Sequence, residues 1–421
     1  MTHSPRILVG QSGGPTAVIN ASLAGVISTA YDVGAQVFGM ANGIQGLLAN
    51  HLVDLNAFTP QNLELLKHTP ASYLGSCRYK LPDLTEEGPG EKNQAYEAIF
   101  EVLARQKVDA VCYIGGNDSM DTIAKLGRWG AQVGSPIRFV GVPKTIDNDL
   151  VATDHTPGYG SAAKYIATTV HELALDSSVY DLPNVLVVEI MGRDAGWLAA
   201  ASALARTTTP SHASSAPDII LLPEAPIQEE TLIERVKELL CQKHCVVIAA
   251  SEGARRPDGS LFLEGSKRVA DSAADSVLAT DAFGHATALS GCGRALAALF
   301  AQTLNIKTRA VELNTSQRAA SHLVSATDLR EAEAMGVCAI KAALQGKTRV
   351  VPTMERVSNH PYQVTYNLTD IEEVANKVKF VPTEWIAPDG MDVCPEFIRY
   401  ARPLILGESW PAYVDGIPAT L

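Results

Sequence analysis

Short apolar, β-branched runs recur along the chain. Each is followed by a polar or glycine-rich turn, and most then lead into a longer segment of helical spacing. Arg6–Val9 (RILV) leads to GQSGGP and AVINASLAGVISTAYD, and Ala110–Ile114 (AVCYI) leads to GGNDSM and DTIAKLGRWG. Asn184–Ile190 (NVLVVEI) leads to MGRDAG and WLAAASALA. Ile219–Leu222 (IILL) leads to PEAP and a helical stretch ending near Cys241. Ile137–Val142 (IRFVGV) ends at PKTIDND, and Cys245–Ala250 (CVVIAA) ends at SEGARRPDG. Runs this short and uniformly apolar predict strands buried on both faces, and their alternation with helices predicts a parallel α/β sheet. The number of units predicts two doubly wound domains. The spacing is too irregular for the eight similar units of a closed barrel. A helical pattern is legible at about 328–345, and beyond Arg349 the rhythm fades. No linker, low-complexity tract or repeat separates the domains, so the chain is expected to cross between them more than once.

At 421 residues the chain is long enough for two or three domains. Its 46% hydrophobic and 19% charged composition excludes a disordered chain. The formal charge of −12 argues against broad nucleic-acid or anionic-membrane binding, but leaves room for a local basic pocket holding a small anion. No apolar h-region follows the start, and no run of about 18 apolar residues could span a bilayer. The seven cysteines are odd in number and scattered. Cys241 and Cys245 lie four apart without a second pair to complete a zinc set, so reduced thiols and a cytoplasmic protein are expected.

The polar turns fall at strand carboxyl ends, where open α/β sheets bind ligands. That nominates loops 11–16, 115–121, 143–149, 191–196 and 251–256. Gly13 and Gly14 let backbone amides approach an anion, or simply make a tight turn; neither a dinucleotide fingerprint nor a Walker lysine is present. Gly116, Asn117, Asp118 and Ser119 suit a metal–phosphate group, or cap the helix that follows. Lys144, Thr145, Asp147 and Asp149 combine a cation for phosphate oxygens with two carboxylates. One carboxylate can take a proton from an alcohol while the other helps hold a divalent ion. Arg193 is expected to open a helix, against the dipole preference, which points to a bound anion. Glu252 can accept hydrogen bonds from sugar hydroxyls, and Arg255 and Arg256 read as solvated. Arg309 and Arg318 are either phosphate contacts or surface charges. Together these are the parts of a phosphoryl-transfer site.

GGNDS, PKTIDND, MGRDAGW and the 309–318 element RAVELNTSQR, with SGGP before them and SEG at 251–253, resemble the 6-phosphofructokinase family in type and order. The resemblance runs from residue 7 to about 320. It implies an α/β protein of two doubly wound, Rossmann-like domains with the active site in the cleft between them. Residues 1–160 with about 320–421 would hold the phosphoryl donor, and about 161–319 the sugar phosphate. It also implies Mg²⁺, a homodimer or homotetramer, and phosphorylation of the 1-hydroxyl of fructose 6-phosphate. Asp147 would be the base and Asp149 its acidic partner near the metal, with Thr145, Lys144 and Arg193 at the transferring group. Met191, Gly192, Arg193 and Glu252 would contact the sugar, and Arg309 and Arg318 the 6-phosphate. Gly13, Gly14, Arg78, Gly116, Asp118 and Lys144 would line the donor side. Asn117, Asp118 and Asp149 are the candidate metal ligands.

ATP-dependent members of that family carry glycine where Asp118 and Lys144 stand, whereas pyrophosphate-dependent members carry aspartate and lysine. A carboxylate at 118 fills the space of a nucleotide's α-phosphate and repels it. At about 4 Å and an effective dielectric near 20, such like charges cost about 4 kcal/mol. Pyrophosphate is therefore the expected donor, and the transfer is expected to be reversible. Three positions depart from the pattern. Asn117 stands where many members have a metal-binding aspartate. Thr315 and Asn184 stand where the ATP-dependent bacterial pattern has histidine and arginine. The alternatives are an ATP-dependent enzyme, a sedoheptulose 7-phosphate kinase, or a sugar-phosphate sensor. The last is disfavoured by the intact aspartate pair.

Overall fold

The computed structural model describes residues 4–85, 90, 93–207, 215–265 and 290–421. Each apolar run of the sequence is a strand, and two sheets result. The first comprises β1 (Arg6–Gln11), β2 (Gln36–Met40), β3 (Leu52–Asp54), β4 (Ala110–Gly115) and β5 (Arg138–Pro143). The second comprises β6 (Asn184–Ile190), β7 (Ile219–Leu221), β8 (Cys245–Ser251) and β9 (Lys307–Glu312), in the order β7-β8-β6-β9, all parallel. The chain then returns to the first sheet as β10 (Val350–Asn359) and β11 (Tyr362–Asp370), an antiparallel hairpin. The seven-stranded order is β11-β10-β5-β4-β1-β2-β3. The α/β expectation holds.

Both sheets are covered on two faces, which explains the unbroken apolar runs. In β1, Leu8 joins one core cluster while Ile7 and Val9 join the other. In β6, Leu186 and Val188 face one cluster, Val185 and Val187 the opposite one. Helix Ala326–Leu344 packs against helix Ile19–Asp32 at unusually close range. A Cβ on Gly25 would lie 2.2 Å from the Glu333 carbonyl oxygen, and one on Gly336 would lie 2.1 Å from that of Ser22. Only glycine permits this approach. The seven cysteines are free thiols. No helix among the described residues is long and apolar enough to cross a membrane.

A buried polar network ties the returning hairpin to the loop after β5. His155, 1% exposed, bonds Asp154 through Nδ1 and Glu331 through Nε2, both at 2.7 Å. Tyr362 donates to the other Glu331 oxygen, and Arg356 pairs with Asp154 at 2.8 Å. Burial opposes charge on the imidazole, but the two carboxylates outweigh it and push its pKa up to about 9. His155→Leu leaves two carboxylates without this partner and is expected to destabilise the fold by about 3–5 kcal/mol in urea titrations. Because the folded pKa is raised, the stabilisation from His155 is complete below its ordinary value of 6.5. It is lost as pH rises through about 9. The variant should therefore differ less from the wild type at high pH.

Candidate active site

The five loops nominated from sequence line a single cleft of about 490 Å³, joined there by Cys77, Arg78, Arg318, Asn376 and Val378. After β1, Gly13 adopts φ +75°, and a Cβ there would lie 3.4 Å from Lys144 Nζ. A Cβ on Gly14 would lie 2.9 Å from Arg318 Nη1. These glycines leave room for two cations at the phosphate cradle, beyond making a turn. Lys144 is 3% exposed and donates to the Gly14 carbonyl at 2.6 Å. Burial lowers its pKa to about 8, against the pull of Asp147 and Asp149.

The loop after β5 sets the carboxylate pair. Asn148 sits between them at φ +56° and is fully buried. Its amide donates to Tyr400 Oη at 2.9 Å and accepts from the Thr156 N–H at 3.1 Å. Pinned this way, Asn148 leaves Asp147 and Asp149 on either side to line the cleft. Thr145 Oγ1 accepts from the Asp147 N–H at 3.1 Å and donates to Asp147 Oδ2 at 3.3 Å, which fixes that carboxylate. Burial raises the pKa of both acids. Asp149 reaches about 7, with the charge of Asp147 adding to the effect. Asp149 Oδ1 is buried without a hydrogen-bond partner.

Asn117 and Asp118 begin the helix Asn117–Gln132, whose N-cap is Gly116 with no side-chain cap. The capping alternative for this loop is therefore not realised. Asp118 lies in the first turn, where the dipole favours its charge. Asn117 also makes a long-range contact that its metal-ligand assignment does not include. Its Oδ1 accepts from the Asn376 N–H at 2.5 Å and its Nδ2 donates to the Lys377 carbonyl at 2.7 Å. Both ends of the amide are held by backbone 260 residues downstream.

On the other wall, Gly192 has φ +135° and its N–H points to Glu252 Oε1 at 3.4 Å. Burial raises the Glu252 pKa to about 7. The Met191 N–H donates to Gln317 Oε1 at 3.3 Å. Arg193 does not open a helix. It lies in the loop, and the helix begins at Trp197, so the dipole reasoning does not apply to it; it nonetheless lines the cleft. Arg255 and Arg256 are paired rather than solvated, with Asp194 at 3.0 Å and Glu229 at 2.5 Å. Arg318 lines the cleft, half-buried. Arg309 does not: it is exposed on the edge strand β9, 3.4 Å from Asp176.

Among the described residues no three His, Cys, Asp or Glu side chains form a metal cage. Mg²⁺ needs no such cage, because it binds phosphate through one or two carboxylates, substrate oxygens and water. The orphaned Asp149 Oδ1 and the carboxylate of Asp118 in the same cleft fit that requirement.

The profile of the family described as Phosphofructokinase matches residues 6–343. The pyrophosphate–fructose 6-phosphate 1-phosphotransferase of Xanthomonas campestris is 41% identical over 415 residues, covering 98% of this chain and 94% of its own. The protein of that name from Halomonas elongata is 39% identical over 413 residues, covering 97% and 93%. The crystal structure of the pyrophosphate-dependent phosphofructokinase of Nitrosospira multiformis superposes with a TM-score of 0.86 at 33% identity, covering 100% of this chain and 96% of its own. The cleft and its loops thus sit on a chain similar to these proteins from end to end, and that chain belongs to the phosphofructokinase family.

Proposed function

We propose that this protein reversibly transfers a phosphoryl group from pyrophosphate to the 1-hydroxyl of fructose 6-phosphate. The observation that carries this is one cleft in which a half-buried aspartate pair meets Lys144 and three arginines, on a chain whose relatives bear that activity's name. Asp147 is the base: its carboxylate is oriented by Thr145 and, once ionised, accepts the 1-hydroxyl proton. Lys144 and Arg193 balance charge on the transferring group. Arg78, Asp118 and the Gly13, Gly14 and Gly116 backbone take the donor. Met191, Gly192 and Glu252 take the sugar, and Arg318 its 6-phosphate. Asp118 and Asp149 would hold Mg²⁺, which neutralises phosphate charge. The seven-stranded part, as residues 1–160 with about 320–421, serves the donor. Residues 161–319 serve the sugar phosphate. Arg309 does not line this cleft, so a part for it in sugar-phosphate binding would require a second subunit of a homodimer or homotetramer. Free thiols suit a cytoplasmic setting.

Initial rates with Mg²⁺ and fructose 6-phosphate, offering pyrophosphate or ATP in parallel, test the reading. Turnover with pyrophosphate alone supports it. Turnover with ATP alone transfers it to the ATP-dependent class. Turnover only with sedoheptulose 7-phosphate keeps the donor and changes the acceptor. The pH profile is a second check. As pH rises towards about 7, Asp149 ionises and kcat/KM climbs; above about 8, Lys144 loses its charge and kcat/KM falls. Lys144→Arg is expected to remove the alkaline limb, because a guanidinium stays protonated.

A further inference from the structure

Residues Asn376–Val381 form a strap that crosses the cleft. At one end Asn117 grips the backbone of Asn376 and Lys377, and Asn376 Nδ2 donates to Asp121 Oδ1 at 2.8 Å. In the middle, the Lys379 N–H donates to the Asp149 carbonyl at 2.7 Å, and Lys379 Nζ reaches the carbonyls of Thr153 and Asp154 at 3.1 and 2.9 Å. At the other end, Trp197 Nε1 donates to the Lys379 carbonyl at 2.8 Å. The Val381 N–H donates to Glu224 Oε1 at 3.0 Å, and the same oxygen takes the Gly196 N–H at 2.9 Å. The strap is thus anchored to the helix behind Asp118, to the aspartate loop and to the loop that carries Arg193.

Asn376 and Val378 line the cleft, and Lys377 between them does not. One N–H of the Asn376 amide is held by Asp121, and Val378 is apolar. The two residues that line the cleft here offer phosphate oxygens no cation. This stretch adjoins the helix whose first turn holds Asp118, past which a longer donor would have to run. We infer that Asn376–Val378 is the end wall of the donor site, limiting the donor to a short phosphoanhydride. This rests on the donor reading proposed above. It differs from the Asp118 and Lys144 effect, which works through charge; the strap works through length.

Inorganic tripolyphosphate separates the two, since it lengthens the donor without adding a nucleoside. The measurement is kcat/KM for magnesium tripolyphosphate divided by that for magnesium pyrophosphate, at fixed fructose 6-phosphate. The wild type is expected to prefer pyrophosphate. Asn376→Gly with Val378→Gly is expected to raise the ratio about tenfold or more, as removal of a steric wall does. Asn376 has φ +61°, which glycine accepts readily. Val378→Ala, at a position 41% exposed, perturbs folding least and should raise the ratio about threefold. An unmoved ratio in both variants, or a wild type that uses the two donors equally, overturns the proposal. A wild type inert with pyrophosphate overturns the donor reading itself, and the wall with it.

Discussion

Asp147→Ser is expected to lower kcat by about 10²–10⁴, the usual contribution of a positioned general base. Fructose 6-phosphate should still bind, because Arg318, Glu252 and the Met191–Arg193 backbone are untouched. Calorimetric titration of the sugar beside initial rates separates the two effects. A further sign follows from the electrostatics. Asp149 has its pKa raised to about 7 first by burial and then by the charge of Asp147. Removing that charge should move the acid limb of the residual activity to lower pH. Wild-type turnover in the variant would strip Asp147 of its role. Lost turnover with an unshifted acid limb would mean that the two carboxylates do not interact as their burial implies.

Replacing Asp118 and Lys144 together by glycine should turn donor preference towards ATP. The like-charge cost of about 4 kcal/mol at residue 118 corresponds to roughly a thousandfold in nucleotide affinity. Pyrophosphate use should fall at the same time, since Lys144 is the buried cation at the phosphate cradle, bonded to the Gly14 carbonyl. The readout is the ratio of kcat/KM for ATP to that for pyrophosphate. A rise with the double variant, and a larger one when Val378→Ala is added, would separate charge from length. No rise in either would mean that residue 118 does not lie along the path of the nucleotide.

The parts of the fold legible in the sequence are those whose residues are buried on two faces. Strands β1, β4, β5, β6, β7 and β8 each carry a short apolar run, so these six and the five loops at their ends follow from the pattern. Strands β2 and β3 are short and half-buried, and β9 (KTRAVE) alternates charge with small residues on a sheet edge. The hairpin β10–β11 turns mostly to solvent beyond its first residues and carries no apolar run. In the site, the aspartate loop was readable because its chemistry is local. The role of Asn117 was not, because its partners lie 260 residues away in a segment without periodicity. Nothing near Arg309 in the sequence announces that its strand is an outer one.

The return of the chain to its first sheet has a consequence for biosynthesis. Helix Ile19–Asp32 buries one side against helix Ala326–Leu344, through the contact at Gly25 and Gly336, and β5 waits for β10. The roughly 200 residues between β5 and β10 take on the order of 10–40 s to translate. During that interval the nascent amino-terminal half carries a bare apolar helix face, and the four-stranded sheet still lacks Val393, Phe397, Tyr400 and Leu404, which complete one of its cores. Both halves therefore mature only once the carboxyl-terminal segment has left the ribosome. Premature termination anywhere before residue 344 should yield an aggregation-prone fragment that depends on chaperones.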